Sequence, residues 1–211
     1  MRDELLNRPS VDAGEQRGAG AARLPRSFYA RPTIEVARDL LGKVIRHGPA
    51  SARIVETEAY LGTDDAAAHS ARGPTPRTRV IFGPPGHAYI YLIYGMHHCL
   101  NIVAEAKGVA GCVLIRAVEP INASAGTARL SNGPGKLTRA LGITLKHYGA
   151  DLTRGPITLH DLPDQEPFEI GISPRIGISQ AAELPLRFFI QGNRFVSRTP
   201  SSVAGGAVAA P

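Results

Sequence analysis

The sequence predicts a single α+β domain, in which a mixed α/β chain forms a curved, mainly antiparallel β-sheet with a protruding β-hairpin and flanking helices. Three observations support this prediction. The chain has 211 residues, 43% of them hydrophobic, which suits one globular domain that is stable without cross-links. Segments with strand-like alternation follow one another closely, and the central pair is joined by a short turn, as in antiparallel sheets. The 17 Pro and 23 Gly indicate many turns.

The elements of this domain can be placed in order along the chain. A helix is predicted from the Pro32-Thr33 pair to about Leu41, with Thr33 as its N-cap, because Ile34, Ala37 and Leu41 share one helical face. Strands are predicted at residues 43–47, 53–61, 87–94, 98–105 and 112–118, and a short helix at 136–141. Three weaker strands are expected at 157–159, 168–172 and 187–191.

The two ends of the chain differ from the rest. Residues 1–22 and 199–211 lack apolar periodicity, so we expect a disordered leader and a disordered tail around a domain at 23–198. The first ten residues include acidic side chains where a secretory signal would be apolar. The longest apolar run, 88–96, is far shorter than the ~20 residues that span a bilayer. Two Cys cannot form a disulfide framework. We therefore expect a cytoplasmic protein with no membrane partner.

The formal net charge of +6 is distributed unevenly. Residues 23–154 carry 17 Lys and Arg against 9 Asp and Glu, whereas both ends are slightly acidic. Such a basic surface suits a polyanionic partner, for example nucleic acid. Because 20 of the 24 basic residues are Arg, a GC-rich genome is an alternative explanation of the same charge.

The strand RIVETEAYL is the first candidate for chemistry. A period of two places Glu56, Glu58 and Tyr60 on one face and small or apolar residues on the other. A buried carboxylate is costly without a partner, so this face is either exposed to solvent or lines a cleft in which a carboxylate lies beside an aromatic ring.

The hairpin at 87–105 adds further aromatic rings. Tyr89 and Tyr91 share a face, and Tyr94 falls where the strand turns. Rings grouped near a carboxylate suit a flat ligand such as a nucleobase, and an aromatic wedge on a hairpin is one way in which proteins separate base steps. Ordinary sheet packing, which favours Tyr, is the alternative.

Several common chemistries are excluded by spacing. The run Asn132-Gly-Pro-Gly-Lys lacks the first Gly of a phosphate-binding loop, because Leu130 occupies that position. His97, His98 and Cys99 are adjacent on a strand, so successive side chains point to opposite faces and do not form a metal site. The chain has no G-x-S-x-G motif. Catalysis, if it occurs, is expected to use a carboxylate and water.

Five blocks in this order resemble the alkyladenine (3-methyladenine) DNA glycosylase family: RIVETEAYLG, DDAAAHS, YIYLIYGMHHCLNI, CVLIRAVEP and NGPGKL. The resemblance covers about residues 26–197. It implies a single mixed α/β domain whose hairpin enters the DNA minor groove. It also implies that a damaged nucleotide is flipped out of the duplex, after which a Glu-activated water attacks C1′ and releases the base. The implied bases are 3-methyladenine, 7-methylguanine, hypoxanthine and ethenoadenine.

The resemblance assigns roles near the reacting atoms. Glu58, the second Glu of ETEAY, corresponds to the general base, with Glu56 as the rival. Arg116 matches the Arg that helps to position the water and the phosphate of the flipped nucleotide. Ile176 would offer its backbone carbonyl to the water.

The same resemblance assigns the walls of a base pocket. Tyr60, His69 and Tyr91 correspond to the aromatic side chains that hold the flipped base, and stacked rings also attract the positive charge of many alkylated purines. Asn101 matches the residue that excludes normal guanine by crowding its amino group.

Four further residues are assigned to DNA binding. Tyr94 corresponds to the side chain that fills the vacated base stack, with Met96 beside it. Phosphate contacts are expected from Thr75 and Arg77, although the family pattern needs a one-residue gap just before them. The partner is therefore double-stranded DNA with damaged purines, and the expected localisation is the bacterial nucleoid.

No matched catalytic position is a Lys able to form a Schiff base, so the resemblance implies a monofunctional glycosylase with no metal or organic cofactor. We expect a monomer. Two alternatives stay open at this point: a sugar glycosidase that uses Glu56 and Glu58 as its carboxylate pair, and a DNA-binding module without catalysis.

Overall fold

The computed structural model describes residues 21–121, 132–162 and 165–197. These residues form a curled antiparallel sheet of eight strands with three short helices, which confirms the predicted fold class. The helices are α1 (Arg26–Tyr29), α2 (Thr33–Asp39) and α3 (Pro134–Ala140). The strands are β1 (Val44–His47), β2 (Ala50–Tyr60), β3 (Ala88–Ile93), β4 (His97–Val103), β5 (Cys112–Pro120), β6 (Ile157–His160), β7 (Ile170–Ser173) and β8 (Arg187–Ile190).

Strand β2 is the centre of the sheet. The main order is β3-β4-β5-β2-β1-β6, and β8 pairs with the second half of β2 and with β7. With 11 residues, β2 is long enough to pair with β1 at its start, with β8 near its end and with β5 along most of its length. The catalytic candidates Glu56 and Glu58 are therefore held between two neighbouring strands.

The two faces of the sheet are packed differently. One face carries most of the apolar core, in which Val36 and Leu40 from the region of α2 and Leu137 from α3 pack on Ile102 and Ile115 of the sheet. The opposite face, near the hairpin, carries a smaller cluster around Tyr89 and Cys112. Strand alternation separates the two faces, so Tyr89 and Tyr91 of β3, Asn101 of β4 and Arg116 of β5 point away from the main core.

Strands β2 and β5 pair irregularly where the two Glu side chains lie. The register shifts between Ile54 and Glu56 and again between Glu56 and Thr57, where Arg116 of β5 is passed over. Ile54 and Val55 both enter the core, so the expected strict alternation is wrong at this point. Bulges of this kind re-aim side chains, and here Arg116 projects toward the carboxylates.

The predicted elements occur with shifted ends. Helix α2 is shorter than expected, and Thr33 is not its N-cap: Pro32 holds that position, and the Thr33 amide and hydroxyl both donate to Glu105 Oε1, at 2.6 and 2.8 Å. The weak strand expected at 168–172 occupies Ile170–Ser173. The four-residue helix α1 was not predicted, because one turn carries no periodic signal.

The ends of the chain remain largely outside the structure. Of the leader predicted at 1–22, Ala21 and Ala22 are described, and their carbonyls accept hydrogen bonds from His160 and Asp161. The rest of the leader and the tail predicted at 199–211 lie outside the described residues, and the domain bounds stay a prediction. None of the described helices has the length and apolar content needed to cross a membrane.

Candidate active site

A cavity of about 330 Å³ opens on the sheet face opposite the main core. Its position at the junction of β2, the hairpin and the loop after β7 brings together residues that are far apart in the sequence. It is lined by side chains that include Tyr60, His69, Arg77, Tyr89, Tyr91, Tyr94, Cys99, Asn101, Arg116 and Ile176.

 

Eight of the eleven site residues that were assigned from the sequence line the cavity directly, and three do not: Glu58, Met96 and Thr75. Glu58 is fully buried and contacts three residues of the lining, Tyr60, Arg116 and Ile176, so it lies directly behind the cavity wall. Met96 lies at the exposed hairpin tip, and Thr75 lies on an exposed loop.

Glu58 is fully buried, and donors surround its carboxylate. Its Oε1 accepts the Ile176 amide at 2.7 Å and lies 3.3 Å from Arg116 Nη1, and its Oε2 accepts the Tyr60 hydroxyl at 3.1 Å. Burial raises the pKa of Glu58 above its ordinary value, and the charge of Arg116 and the two hydrogen bonds counteract this rise only in part. A carboxyl with a raised pKa, placed beside a cavity, is well suited to accept a proton.

Glu56 is also fully buried, so the solvent-exposed interpretation of this strand face is wrong. Its Oε1 accepts Arg187 Nε at 2.7 Å and Arg116 Nε at 3.1 Å, and its Oε2 accepts the Ser197 amide at 2.7 Å. Both oxygens are therefore occupied by donors from the protein. This arrangement is typical of a structural carboxylate rather than of one that receives a proton from substrate water.

Arg116 connects the two carboxylates. Its Nε bonds Glu56 while its Nη1 faces Glu58, and its side chain is 9% exposed at the cavity wall. The guanidinium has a fixed planar geometry, so the bond to Glu56 fixes the direction in which Nη1 points. Arg116 thus offers a positive charge to the cavity and to Glu58 at the same time.

Aromatic side chains form much of the cavity wall. The rings of His69 and Tyr91 meet edge to face at 4.5 Å, and His69 Nδ1 lies 2.8 Å from the Tyr89 hydroxyl. Partial burial and the nearby charge of Arg77 lower the pKa of His69, which favours a neutral imidazole near neutral pH. Tyr60 lies on the other side of the site, where the guanidinium of Arg175 covers its ring at 4.7 Å.

Asn101 is fixed in the cavity wall by the hairpin. Its Nδ2 donates to the Tyr89 carbonyl at 3.2 Å across the β3–β4 pair, and the residue is 3% exposed. The amide is therefore held in place before any ligand binds. A fixed amide can reject a base that carries an extra group at that position, because the side chain has no room to move aside.

The hairpin tip presents apolar and aromatic surface to solvent. Tyr94 is 84% exposed and Met96 is 67% exposed. Tyr94 has a φ of 53° and Gly95 a φ of 69°, and the Met96 amide donates to the Ile93 carbonyl, which closes a tight turn. A bulky residue rarely adopts this left-handed conformation, so a local backbone cost accompanies the exposed ring.

Arg77 and Thr75, the expected phosphate contacts, differ in their surroundings. Arg77 is exposed, and its guanidinium lies 5.2 Å from the ring centre of Tyr91. Thr75 is also exposed, but its hydroxyl lies 2.9 Å from that of Thr78. Arg77 therefore borders the cavity, while Thr75 stabilises the turn at 75–78 that contains Arg77.

Sequence reasoning missed two buried arginines that support the site, Arg175 and Arg187. Arg175 pairs with buried Asp65, and Arg187 pairs with Glu56. Both lie in the last third of the chain, where the strand signals are weak. Two buried Glu on one strand face require compensating positive charge. This requirement predicts that cationic partners exist, but it does not identify them.

Comparison with known proteins agrees with this geometry. A sequence model of the family described as methylpurine-DNA glycosylase (MPG) matches residues 27–194. A protein of Chlorobaculum tepidum named "Putative 3-methyladenine DNA glycosylase" is 50% identical over 191 residues, covering 84% of this chain and 91% of its own. Proteins with the same name from Methanoculleus marisnigri and Bradyrhizobium diazoefficiens are 48% and 47% identical, covering 83% of this chain and 98% and 90% of their own. The chain therefore belongs to the methylpurine-DNA glycosylase family of enzymes.

Proposed function

We propose that this DNA glycosylase flips alkylated or deaminated purines out of duplex DNA and hydrolyses their N-glycosidic bond with a water activated by Glu58, which starts base excision repair. One observation carries the proposal: a buried carboxylate with a raised pKa bonds to three residues that line a cavity of about 330 Å³. That volume is within the range of small-molecule sites. The proposed bases are 3-methyladenine, 7-methylguanine, hypoxanthine and ethenoadenine.

The chemical step uses Glu58 as the general base. A water donates its proton to the carboxylate while its oxygen bonds to C1′, and the base leaves with the electron pair of the glycosidic bond. The ionised carboxylate also offsets the positive charge that develops on the sugar. Arg116 binds the phosphate of the flipped nucleotide, and the carbonyl of Ile176 accepts the second proton of the water in a hydrogen bond.

Base selection takes place between the aromatic walls. Tyr60, His69 and Tyr91 stack around the flipped base, and Asn101 excludes guanine by crowding its amino group. Damaged or mispaired bases cost less to extrude, so flipping contributes to the selectivity. The fixed position of Asn101 in the β3–β4 pair supports this role.

Binding to the duplex uses the hairpin tip and the rim of the cavity. Tyr94 fills the gap that the flipped nucleotide leaves, with Met96 beside it. Both side chains are exposed, and Tyr94 also lines the cavity. Arg77 and Thr75 contact phosphates. We further propose that the protein acts as a monomer on nucleoid DNA in the cytoplasm, as a monofunctional glycosylase without a cofactor.

Two alternatives are less well supported. A sugar glycosidase would need Glu56 as its second catalytic carboxylate, and both oxygens of Glu56 already accept hydrogen bonds from the protein. A DNA-binding module without catalysis does not fit an enzyme family whose model matches most of the chain.

Single-turnover excision from a duplex with one hypoxanthine or ethenoadenine tests the proposal, with wild type beside Glu58→Gln. The wild type should release the base, and Glu58→Gln should bind the duplex without releasing it. Glu35→Gln, at an exposed position on α2, is the matched control and should act as wild type. Release by Glu58→Gln at the wild-type rate would move the general base elsewhere. No release by wild type from these lesions or from methylated DNA would overturn the proposed function.

A further inference from the structure

A buried ion pair lies directly behind the site. The side chains of Asp65 and Arg175 are 1% and 0% exposed, and two guanidinium nitrogens of Arg175 each bond a different oxygen of the Asp65 carboxylate. Neither residue lines the cavity, so the pair does not contact a bound base. Buried ion pairs are weak contributors to stability, because desolvation offsets their attraction. A role in geometry is therefore worth testing.

Each member of the pair holds backbone at the end of β2. Arg175 Nη1 donates to the carbonyl of Ala59 at 3.0 Å. Asp65 accepts the amides of Leu61 and Ala67, both at 3.1 Å. The pair thus fixes the strand on which Glu58 lies and the loop that leads from this strand toward His69.

The same pair controls both hydrogen-bond donors of Glu58. The guanidinium of Arg175 covers the ring of Tyr60 at 4.7 Å, and the hydroxyl of that ring donates to Glu58 Oε2. Ile176, the residue after Arg175, donates its amide to Glu58 Oε1. If Arg175 shifts, neither donor keeps its position. Burial raises the pKa of Glu58, and the charge of Glu56 adds to this rise, whereas the charge of Arg116 and these two hydrogen bonds lower the pKa.

We propose that Asp65 and Arg175 form a positioning pair, which holds the Tyr60 hydroxyl and the Ile176 amide against Glu58 and thereby keeps this carboxylate ionised for base excision. The inference rests on the proposed function, since it assumes that Glu58 is the general base. It adds two residues, outside the cavity, on which the protonation state of the base depends.

The test compares the pH dependence of single-turnover excision for wild type and Asp65→Asn. The variant weakens the hold on Arg175, and a charge-assisted hydrogen bond to a carboxylate is strong enough to shift its titration by about one pH unit. The acidic limb of the excision rate should therefore move up by about one unit, with a roughly tenfold lower rate on that limb. Affinity for lesion-containing duplex should stay within about twofold, because neither residue contacts DNA in the proposed complex.

Asp151→Asn is the matched control. It breaks the ion pair between Asp151 and Arg26, which lies outside the cavity lining, and should lower thermal stability while leaving the pH profile unchanged. If Asp65→Asn does not fold, Asp65→Leu combined with Arg175→Met replaces both charges by apolar groups, which buried sites often tolerate, and this double variant should show the same shift.

The outcomes separate the two proposals. An unshifted acidic limb in a folded Asp65→Asn or double variant overturns the positioning role and leaves the proposed function intact. A wild type that releases no damaged base refutes the proposed function itself. A wild-type acidic limb that persists in Glu58→Gln shows that Glu58 is not the titrating base, which overturns the positioning role as well.

Discussion

Glu56 and Glu58 lie two residues apart on one strand and are equally buried, yet their replacement by Gln should have opposite consequences. Both changes remove a negative charge and keep the size of the side chain. The structure distinguishes the two carboxylates by their partners: Glu56 accepts two Arg Nε groups and one amide, whereas Glu58 bonds to the lining of the cavity.

We expect Glu56→Gln to lower the stability of the protein. A Gln has one acceptor oxygen, so its amide nitrogen would face either the Ser197 amide or the guanidinium groups of Arg116 and Arg187, all of which are donors. Arg187 would lose the carboxylate that it contacts, and Arg116 would keep only Glu58. Breaking a buried ion pair in this way costs about 3–5 kcal/mol. At about 2–4 °C per kcal/mol for a domain of this size, the Tm should fall by about 6–20 °C.

We expect Glu58→Gln to lower the rate of excision rather than the stability. A Gln at this position can accept the Ile176 amide with its oxygen and donate to the Tyr60 hydroxyl, which then acts as acceptor, so its partners stay satisfied. Arg116, which faces Glu58 Oε1 at 3.3 Å, keeps its ion pair with Glu56. Because burial raises the folded pKa of Glu58, its ionised form lowers the free energy of unfolding above that pKa. Glu58→Gln should therefore match or exceed wild-type stability at neutral pH. Removing a general base should slow excision by about 10²–10⁴-fold.

Thermal unfolding followed by circular dichroism and single-turnover excision measure the two effects on the same samples, with Glu35→Gln as control. The reasoning requires a lower Tm for Glu56→Gln and slower excision at an unchanged or higher Tm for Glu58→Gln. It is refuted if Glu56→Gln keeps the wild-type Tm and loses excision while Glu58→Gln still releases the base.

Three further predictions follow from the same geometry. Because the pKa of Glu58 is raised, the rate of excision by wild type should decline as the pH falls, at pH values above those at which an ordinary carboxyl is protonated. Protonation of Glu58 removes the general base. A pH–rate profile measures this decline, and a flat profile down to pH 4 contradicts the prediction. Tyr94→Gly should keep the wild-type Tm, since Gly readily adopts the positive φ of this turn. The variant should slow excision about 5- to 100-fold, because the stacking of the Tyr94 ring is lost. Val109→Ala, at another exposed apolar site, is the control and should change neither the Tm nor the excision rate. Arg77→Gln should weaken duplex binding at every sequence and reduce the slope of log Kd against log salt by about 1, and an unchanged slope would show that Arg77 contacts no phosphate.

The parts of the fold that are set by local pattern could be predicted from the sequence. The alternation in β2, β3 and β5 and a short connection at Gly95-Met96-His97 predict a sheet and a hairpin without any tertiary information, and the structure places this connection one residue earlier, at 94–96. The ends of these elements are less predictable. Helix α2 begins at Thr33 rather than after it because Glu105, more than seventy residues later, accepts its amide and hydroxyl. An acceptor so far along the chain leaves no local signal.

The charges behind the cavity are the part that the sequence alone could not locate. Local alternation places Glu56 and Glu58 on one face, but it does not indicate that β8 delivers Arg187 beside Glu56 or that a register shift aims Arg116 between the two carboxylates. Yet these arginines explain why two carboxylates can be buried together. Arg116 contacts Glu56 and faces Glu58, and Arg187 contacts Glu56, so the two positive charges offset part of the cost of burying both carboxylates. The bulge sets the direction of Arg116. The arginines beside the two carboxylates therefore belong to strands that are distant from β2 in sequence. If Glu58 is the general base, as we propose, a substitution at Arg187 should affect excision through Arg116 rather than through contact with DNA.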